Sequence, residues 1–378
     1  MTVAEQLDKL ASFEPVPFPV VSLYLNAQPG QTGRDQFQPF IRKELAARRR
    51  TYGAGTPERE SLDRDLERIM RYLEEELQPS ANGVALFCCS ACDLFESVQL
   101  GVPIEHHWLS IDDRPHLYPL ARVDSRYPRV AAVLADTRSA RILVIATGEI
   151  VAQREVTGVK TRRTSQGGWS QARFQRHIEN FHLQHAKEVV EALERVVQRE
   201  GLEQILIAGD EVIVPLLRDQ MPKHLAAKVV DQLRLDTGAP VKDVLDAALD
   251  AMQRINERTD REKAEAAIGA YRAGGLGVVG PEDTLDALKK GQVEELLVTA
   301  SLAVLKPVES GVEAGGDGDG PGKGETAGEA ARANPDVVRL SDELVTRARQ
   351  TAARITFVED PRLLADVGGV AALLRFRA

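Results

Sequence analysis

Lys160-Thr-Arg162-Arg163-Thr-Ser-Gln166-Gly167-Gly168-Trp169-Ser170-Gln171-Ala-Arg173-Phe174-Gln-Arg176-His177 holds five Lys/Arg and no acid, in a chain of 378 residues whose formal net charge is -9. The two signals that decide the fold flank it. Upstream, Glu149 to Val156 reads as a strand. Downstream, Phe174, Ile178, Phe181, His185, Val189, Leu193 and Val196 recur near every 3.6 residues, the pattern of a helix that lays one apolar face on a sheet. Phe174 and Ile178 are expected in that core, and Ser170 is the expected N-cap. Gly167 and Gly168 open backbone angles that side chains resist. The cations around them attract a polyanion. A plainer reading of the same residues is a solvated surface loop ahead of a helix.

Working outward, two β-rich runs, Val130 to Ala135 and Arg141 to Ala146, join through the turn-like Asp136-Thr-Arg-Ser139. Strand Gln204 to Ala208, helix Glu211 to Gln220, strand Ala227 to Leu233 and a long helix from about Val241 to Tyr271 follow. Residues 125–273 are therefore expected to form a central α/β layered domain. Residues 1–122 read as a mixed α/β domain. They offer a short helix, a strand over the apolar run Val16 to Leu25, a charged helix near 34–50 and another from a Thr56 cap to Leu77. Strands Val84 to Cys89 and Leu94 to Leu100 come next, then a connection at Pro115 to Pro119.

Residues 274–378 open a third domain. Gly275-x-Gly277-x-x-Gly280 matches the dinucleotide fingerprint by letter, but a long helix precedes it where the motif requires a strand, so no dinucleotide site is expected. Pro281 starts a helix, Glu295 to Ala300 reads as a strand, Ser341 is expected to cap a helix to about Ala353, and Arg354 to Val358 is a strand. Residues 309–334 are Gly, Glu, Asp and Ala with almost no large apolar side chain, and a disordered insertion is expected there.

Hydrophobic content of 43% and charged content of 28% describe a soluble globular chain. No run of about 18 apolar residues and no signal-peptide layout occurs, so a cytoplasmic protein without a membrane role is expected. Cys88, Cys89 and Cys92 are the only cysteines, and neither a second Cys pair nor finger-spaced histidines accompany them. Reduced thiols, no metal and no cofactor are expected.

Three pieces, in order, resemble the eukaryotic and archaeal class I release factors and their ribosome-rescue and quality-control relatives. Gly167-Gly168-Trp169-Ser170-Gln171-Ala-Arg173-Phe174 is similar to the family's glycine-glycine-glutamine loop and following helix start. Gly280-Pro-Glu282-Asp283-Thr284-Leu-Asp-Ala287-Leu288-Lys-Lys-Gly291-Gln-Val293-Glu294-Glu-Leu296-Leu297 resembles the opening of its third domain, and Gly368-Gly369-Val-Ala-Ala-Leu373-Leu374-Arg375-Phe376 its closing strand. The resemblance spans about residues 125–378. It implies a three-domain α/β chain, with an RNase H-like central domain carrying the Gly-Gly loop and an α/β/α ribosomal-protein-like C-terminal domain. Trp169 stands where the release factors place glutamine and Gln171 follows two residues later, an arrangement that looks like bacterial release-factor-like peptidyl-tRNA hydrolases. The first 120 residues contain no Asn-Ile-Lys-Ser, the family's stop-codon reader, so stop-codon decoding is not expected.

The resemblance implies partners and roles. The partners are the ribosome through large-subunit rRNA, peptidyl-tRNA and a translation GTPase as a further candidate, with no DNA. Water attack on the peptidyl-tRNA ester requires a positioned water and help for the developing oxyanion. Gln171 is assigned the water, and Gly167 and Gly168 the hinge. Lys160, Arg162, Arg163, Arg173 and Arg176 are assigned phosphates, the last two being three apart on one helix face. Trp169 either stacks on an RNA base or packs over the helix start. Two other readings stay open: a non-catalytic ribosome-binding hibernation or stress factor that inserts the same loop, and an endonuclease on the tRNA 3′ end.

Overall fold

Runs of apolar residues set the three sheets of this mixed α/β chain. The computed structural model describes residues 1–30, 34–157, 171–307 and 334–377. Two units result: Met1–Arg126 with Glu257–Ala378, and Tyr127–Asn256. Segments 1–122 and 274–378 thus lie in the same unit.

The first unit begins with α1 (Val3–Ala11), closed by a capping box between Thr2 and Glu5. Strand β1 (Val20–Asn26) starts later than the apolar run from Val16, because Pro17 and Pro19 cannot donate to a ladder. Helices α2 (Arg34–Arg49) and α3 (Pro57–Glu75) follow, the latter capped by Thr56, whose hydroxyl accepts from the Arg59 amide at 3.4 Å. Strands β2 (Gly83–Cys89), β3 (Leu94–Leu100) and β4 (Trp108–Asp112) complete an antiparallel sheet in the order β3-β2-β1-β4. Leu23, Leu25 and Leu86 meet Ile41, Leu45, Leu62 and Ile69 on its helix-covered face. Helix α4 (Tyr118–Arg126) then begins within the last two residues of the connection expected at Pro115 to Pro119.

In the second unit β5 (Val130–Ala135), β6 (Ser139–Ala146) and β7 (Glu149–Thr157) form an antiparallel meander. Helix α5 (Gln171–Glu200) carries the chain back to β8 (Gln204–Gly209), which pairs parallel with β5. Helices α6 (Ile213–Gln220) and α7 (Lys223–Ala226) lead to β9 (Val229–Leu233), parallel to β8. The sheet order is β7-β6-β5-β8-β9. β5 is buried along its whole length, which is why it reads as an unbroken apolar run. One face packs Ala131, Val133 and Ile142 on Val189, Leu193 and Val196 of α5 and Ile213 and Leu217 of α6. The other packs Val130, Ala132 and Leu134 on Val244, Ala248 and Met252 from the first half of α8 (Val241–Arg272).

The first unit resumes in the second half of α8. Strand β10 (Gly277–Val279), α9 (Pro281–Lys289), β11 (Val293–Thr299), α10 (Pro335–Gln350), β12 (Arg354–Val358), α11 (Arg362–Ala365) and β13 (Val370–Leu374) follow. Their sheet runs β10-β13-β11-β12. Leu288, Leu340 and Leu344 cover one face, and Ala264 and Ala267 of α8 the other. Gly277, in the apparent dinucleotide fingerprint, serves packing: a Cβ there would stand 2.4 Å from the Tyr271 nitrogen and 2.5 Å from the Ala267 oxygen. Ser341 is not a cap. Helix α10 starts at Pro335 under Asn334, and the buried Ser341 hydroxyl donates to the Val338 carbonyl at 2.7 Å. The expected insertion, apart from Asn334, lies outside the described residues.

A buried polar cluster joins the early and late segments of this unit. One Asp342 carboxylate oxygen accepts the amides of Leu117 (2.8 Å) and Tyr118 (3.1 Å), capping α4 from 225 residues away, while the other lies 2.6 Å from His116 Nδ1. The Tyr24 hydroxyl donates to the His116 carbonyl at 2.5 Å, and the Tyr118 hydroxyl donates to the Thr299 carbonyl. Asp342→Ala would leave the Leu117 and Tyr118 amides and the His116 ring without their carboxylate partner, so a loss of about 3 kcal/mol is expected in urea unfolding. A change below about 1 kcal/mol would show that the cluster holds little.

Asp260 of α8 is buried, and burial pushes its carboxyl up to about 6, although the Glu359 amide and Lys263 pull the other way. Because the folded-state value is raised, the stabilisation is full below the unfolded value of about 3.9 and is lost as pH rises through about 6. Asp260→Asn should therefore stabilise the protein by about 1–2 kcal/mol more at pH 8 than at pH 4, allowing for solvent screening, in paired unfolding curves.

Candidate nucleic-acid interface

β7 is the edge strand of its sheet, and it runs toward the basic segment with Gln153, Arg154 and Glu155 exposed. Residues 158–170 lie outside the described residues, and with them Lys160, Arg162, Arg163, Gly167, Gly168, Trp169 and the expected cap Ser170. Helix α5 begins at Gln171, one residue past that cap. Gln171 and Arg173 stand in its first turn, though the side chains of residues 171–175, Phe174 included, are outside the description. Arg176 is exposed one turn further on. The structure thus brings Gln171, Arg173 and Arg176 together at one helix end.

Burial changes along α5. Residues 176–180 are exposed, Phe181 to Leu183 are half-buried, and His185, Val189, Leu193 and Val196 are buried. Ile178 is 36% exposed, which corrects its expected place in the core. Its spacing fits the apolar stripe, but the helix there has passed the part that the sheet covers. His185 marks the turning point; it is 1% exposed, and neither ring nitrogen has a partner among the described residues.

The electrostatics of this helix end run against ordinary practice. An α-helix carries partial positive charge at its N-terminus, where acids stabilise and cations cost about 0.3–1 kcal/mol each. Helices α1, α3, α8, α9 and α10 place an acid in the first turn, and α4, α6, α7 and α11 do not. α5 places none, and carries Arg173 and Arg176 instead. Such an end adds backbone amides and dipole to the cations, the combination that receives phosphate.

Sequence reading passed over a second cationic face, in the other unit. Arg42, Lys43 and Arg49 of α2, with Arg50 just beyond it, are all exposed, and their spacing gathers them within about 120° of the helix circumference. The signal was legible as cations at i, i+1, i+7 and i+8 opposite the apolar Phe37, Ile41 and Leu45. Among the described residues no group of three or more His, Cys, Asp or Glu side chains forms a metal-holding cluster. No helix among them is long and apolar enough to cross a membrane.

Ile178→Ser should change stability by less than about 0.5 kcal/mol, whereas Val189→Ala on the same stripe should cost about 2 kcal/mol. Equal costs in thermal or urea unfolding would mean that the first turns of α5 are packed after all.

Residues 115–253, which include the passage from β7 into α5, match the family model described as bacterial archaeo-eukaryotic release factor family 10. No curated protein matches the chain. Among solved structures, an archaeal translation termination factor, aRF1, is similar at 19% identity over 99% of this chain and 97% of its own, with a TM-score of 0.27. Dom34 of S. cerevisiae, described as a translation termination-like factor in RNA quality control that interacts with Hbs1, is 12% identical over 78% and 81%, with a TM-score of 0.43. An archaeal Pelota, described as ribosome-bound with ABCE1, is 15% identical over 100% and 95%, also with a TM-score of 0.43.

Proposed function

We propose that this chain, whose residues 115–253 match the release-factor-like family model, acts on the ribosome in the cytoplasm, hydrolysing peptidyl-tRNA without reading a stop codon. The observation that supports this most is the start of α5. An exposed helix end with cations and no acid stands directly behind a Gly-Gly segment. Cations at that end cost the helix about 0.3–1 kcal/mol each, a cost that a bound phosphate would offset.

In this reading Gln171 orients water toward the ester carbon, and Gly167 and Gly168 allow its close approach. Exclusion and orientation supply the rate, so no strong acid or base is required of the chain. Lys160, Arg162, Arg163, Arg173 and Arg176 take phosphates of large-subunit rRNA and of peptidyl-tRNA, and Trp169 stacks on a base. The α2 face adds a second phosphate contact. A translation GTPase remains the candidate partner for delivery. Trp169 in the position of the release-factor glutamine favours one competing reading, a factor that occupies the site without catalysis.

Purified protein added to peptidyl-tRNA on large subunits should release peptide and leave tRNA intact. Gln171→Ala should slow release by about 100-fold, the scale of losing a group that stabilises the transition state, while binding persists. Binding with no release removes hydrolysis in favour of site occupation, and shortened tRNA indicates an endonuclease.

Joint Arg173→Glu and Arg176→Glu should weaken ribosome binding at least about tenfold and flatten the log affinity against log salt slope by about 1.5. Unchanged binding at every salt concentration would contradict the phosphate role.

A further inference from the structure

The three cysteines were expected to be reduced thiols, and the structure separates them. β2 ends at Cys89, a 3-10 turn covers Ser90–Cys92, and Asp93 adopts the left-handed region at φ 52 before β3 begins at Leu94. Alternation along the strand sends Cys88 and Cys89 to opposite faces. Cys88 joins the core beneath α2 and α3, where its thiol donates to Asp65 at 3.0 Å. Cys89 closes the strand at the point where the turn that carries Cys92 begins.

The turn is anchored from outside. Asp65 accepts from the Ser90 amide at 2.6 Å and from its hydroxyl at 2.5 Å, and Ser61 accepts from the Ala91 amide at 2.9 Å. Cys89 to Cys92 is a four-residue turn, and such a turn holds its end Cα atoms within about 7 Å, near the separation of about 4.4–6.8 Å that a disulfide accepts. Cys92 is half-buried and Cys89 fully buried, so one thiol is open to a reagent and the other waits behind it.

We propose that the β2–β3 turn is a redox modification site, in which Cys89 and Cys92 are bridged by exchange with a low-molecular-weight disulfide of the glutathione class. Cys92, as thiolate, attacks one sulfur of the reagent. The reagent S–S bond breaks, and its other half leaves as a thiol after taking a proton. Cys89 then loses its proton and attacks Cys92 Sγ, expelling the second half. Two protein thiols are oxidised to one disulfide and one reagent disulfide is reduced to two thiols. Burial pushes the Cys89 thiol up to about 12, which fixes the order: Cys92 enters and Cys89 resolves. Burial and Asp65 push Cys88 up as well and exclude it. A bridge closing so short a loop is readily reduced, so the modification is reversible.

The test uses the full native chain incubated with oxidised glutathione, then alkylated in acid and mapped by mass spectrometry. The wild type should lose two of its three alkylatable thiols and yield a peptide bridged between Cys89 and Cys92, with dithiothreitol restoring both. Cys89→Ser should hold a lasting glutathione adduct on Cys92, and Cys92→Ser should form neither bridge nor adduct. Native circular dichroism spectra establish that both variants fold. A lasting adduct on Cys92 of the wild type, a bridge to Cys88, or no reaction except after unfolding would overturn the proposal.

Discussion

Helix α5 has 30 residues and rises about 45 Å, whereas the central strand β5 that it covers has six residues and spans about 20 Å. The sheet therefore buries only part of the helix. Val189, Leu193 and Val196 fill the core, while residues 176–180 stand clear of it. The exposed turns belong to the helix N-terminus, so the unmet amides and the positive end of the dipole are presented outward. Arg173 and Arg176 at that end raise the local potential at some cost to helix stability. In a chain of net charge -9, cations placed where they help the fold least support the polyanion contact proposed for that end.

The other unit is built on a different constraint. Its early and late segments are more than a hundred residues apart in sequence, yet Asp342 caps α4, Arg122 bonds Glu359 at 2.8 Å, and Arg349 bonds Asp124 at 2.6 Å. Buried polar groups are costly unless satisfied. One carboxylate serving His116, Leu117 and Tyr118 therefore specifies how these segments pair as well as how tightly. A region without a stop-codon motif is thus fixed to the segment that resembles the family's third domain.

The central sheet was legible because β5, β6 and β8 are apolar runs and α5 repeats its buried positions at helical spacing. Elements supported from afar were not legible. The cap of α4 is Asp342, 225 residues away, and no local signal announces it. β4 is half-buried throughout and lacks alternation. Ser341 has the residue type of a cap but lies inside α10, where Asn334 and Pro335 set the start. Ile178 shows the limit of periodicity, which finds the apolar stripe of a helix but not how far the sheet beneath it extends. At the candidate site the sequence identified Gln171, Arg173 and Arg176 at one helix end and overlooked the α2 face, whose cations are spaced on a helix rather than clustered in a loop.

The most direct measurement places a photo-crosslinker at exposed Ile178 and another at exposed Val212, in the same unit, and maps each on ribosomes. Position 178 should crosslink to large-subunit rRNA beside the peptidyl-tRNA 3′ end, and position 212 should not. Equal labelling from both positions, or crosslinks from 178 confined to the small subunit, would contradict an RNA-facing role for the start of α5.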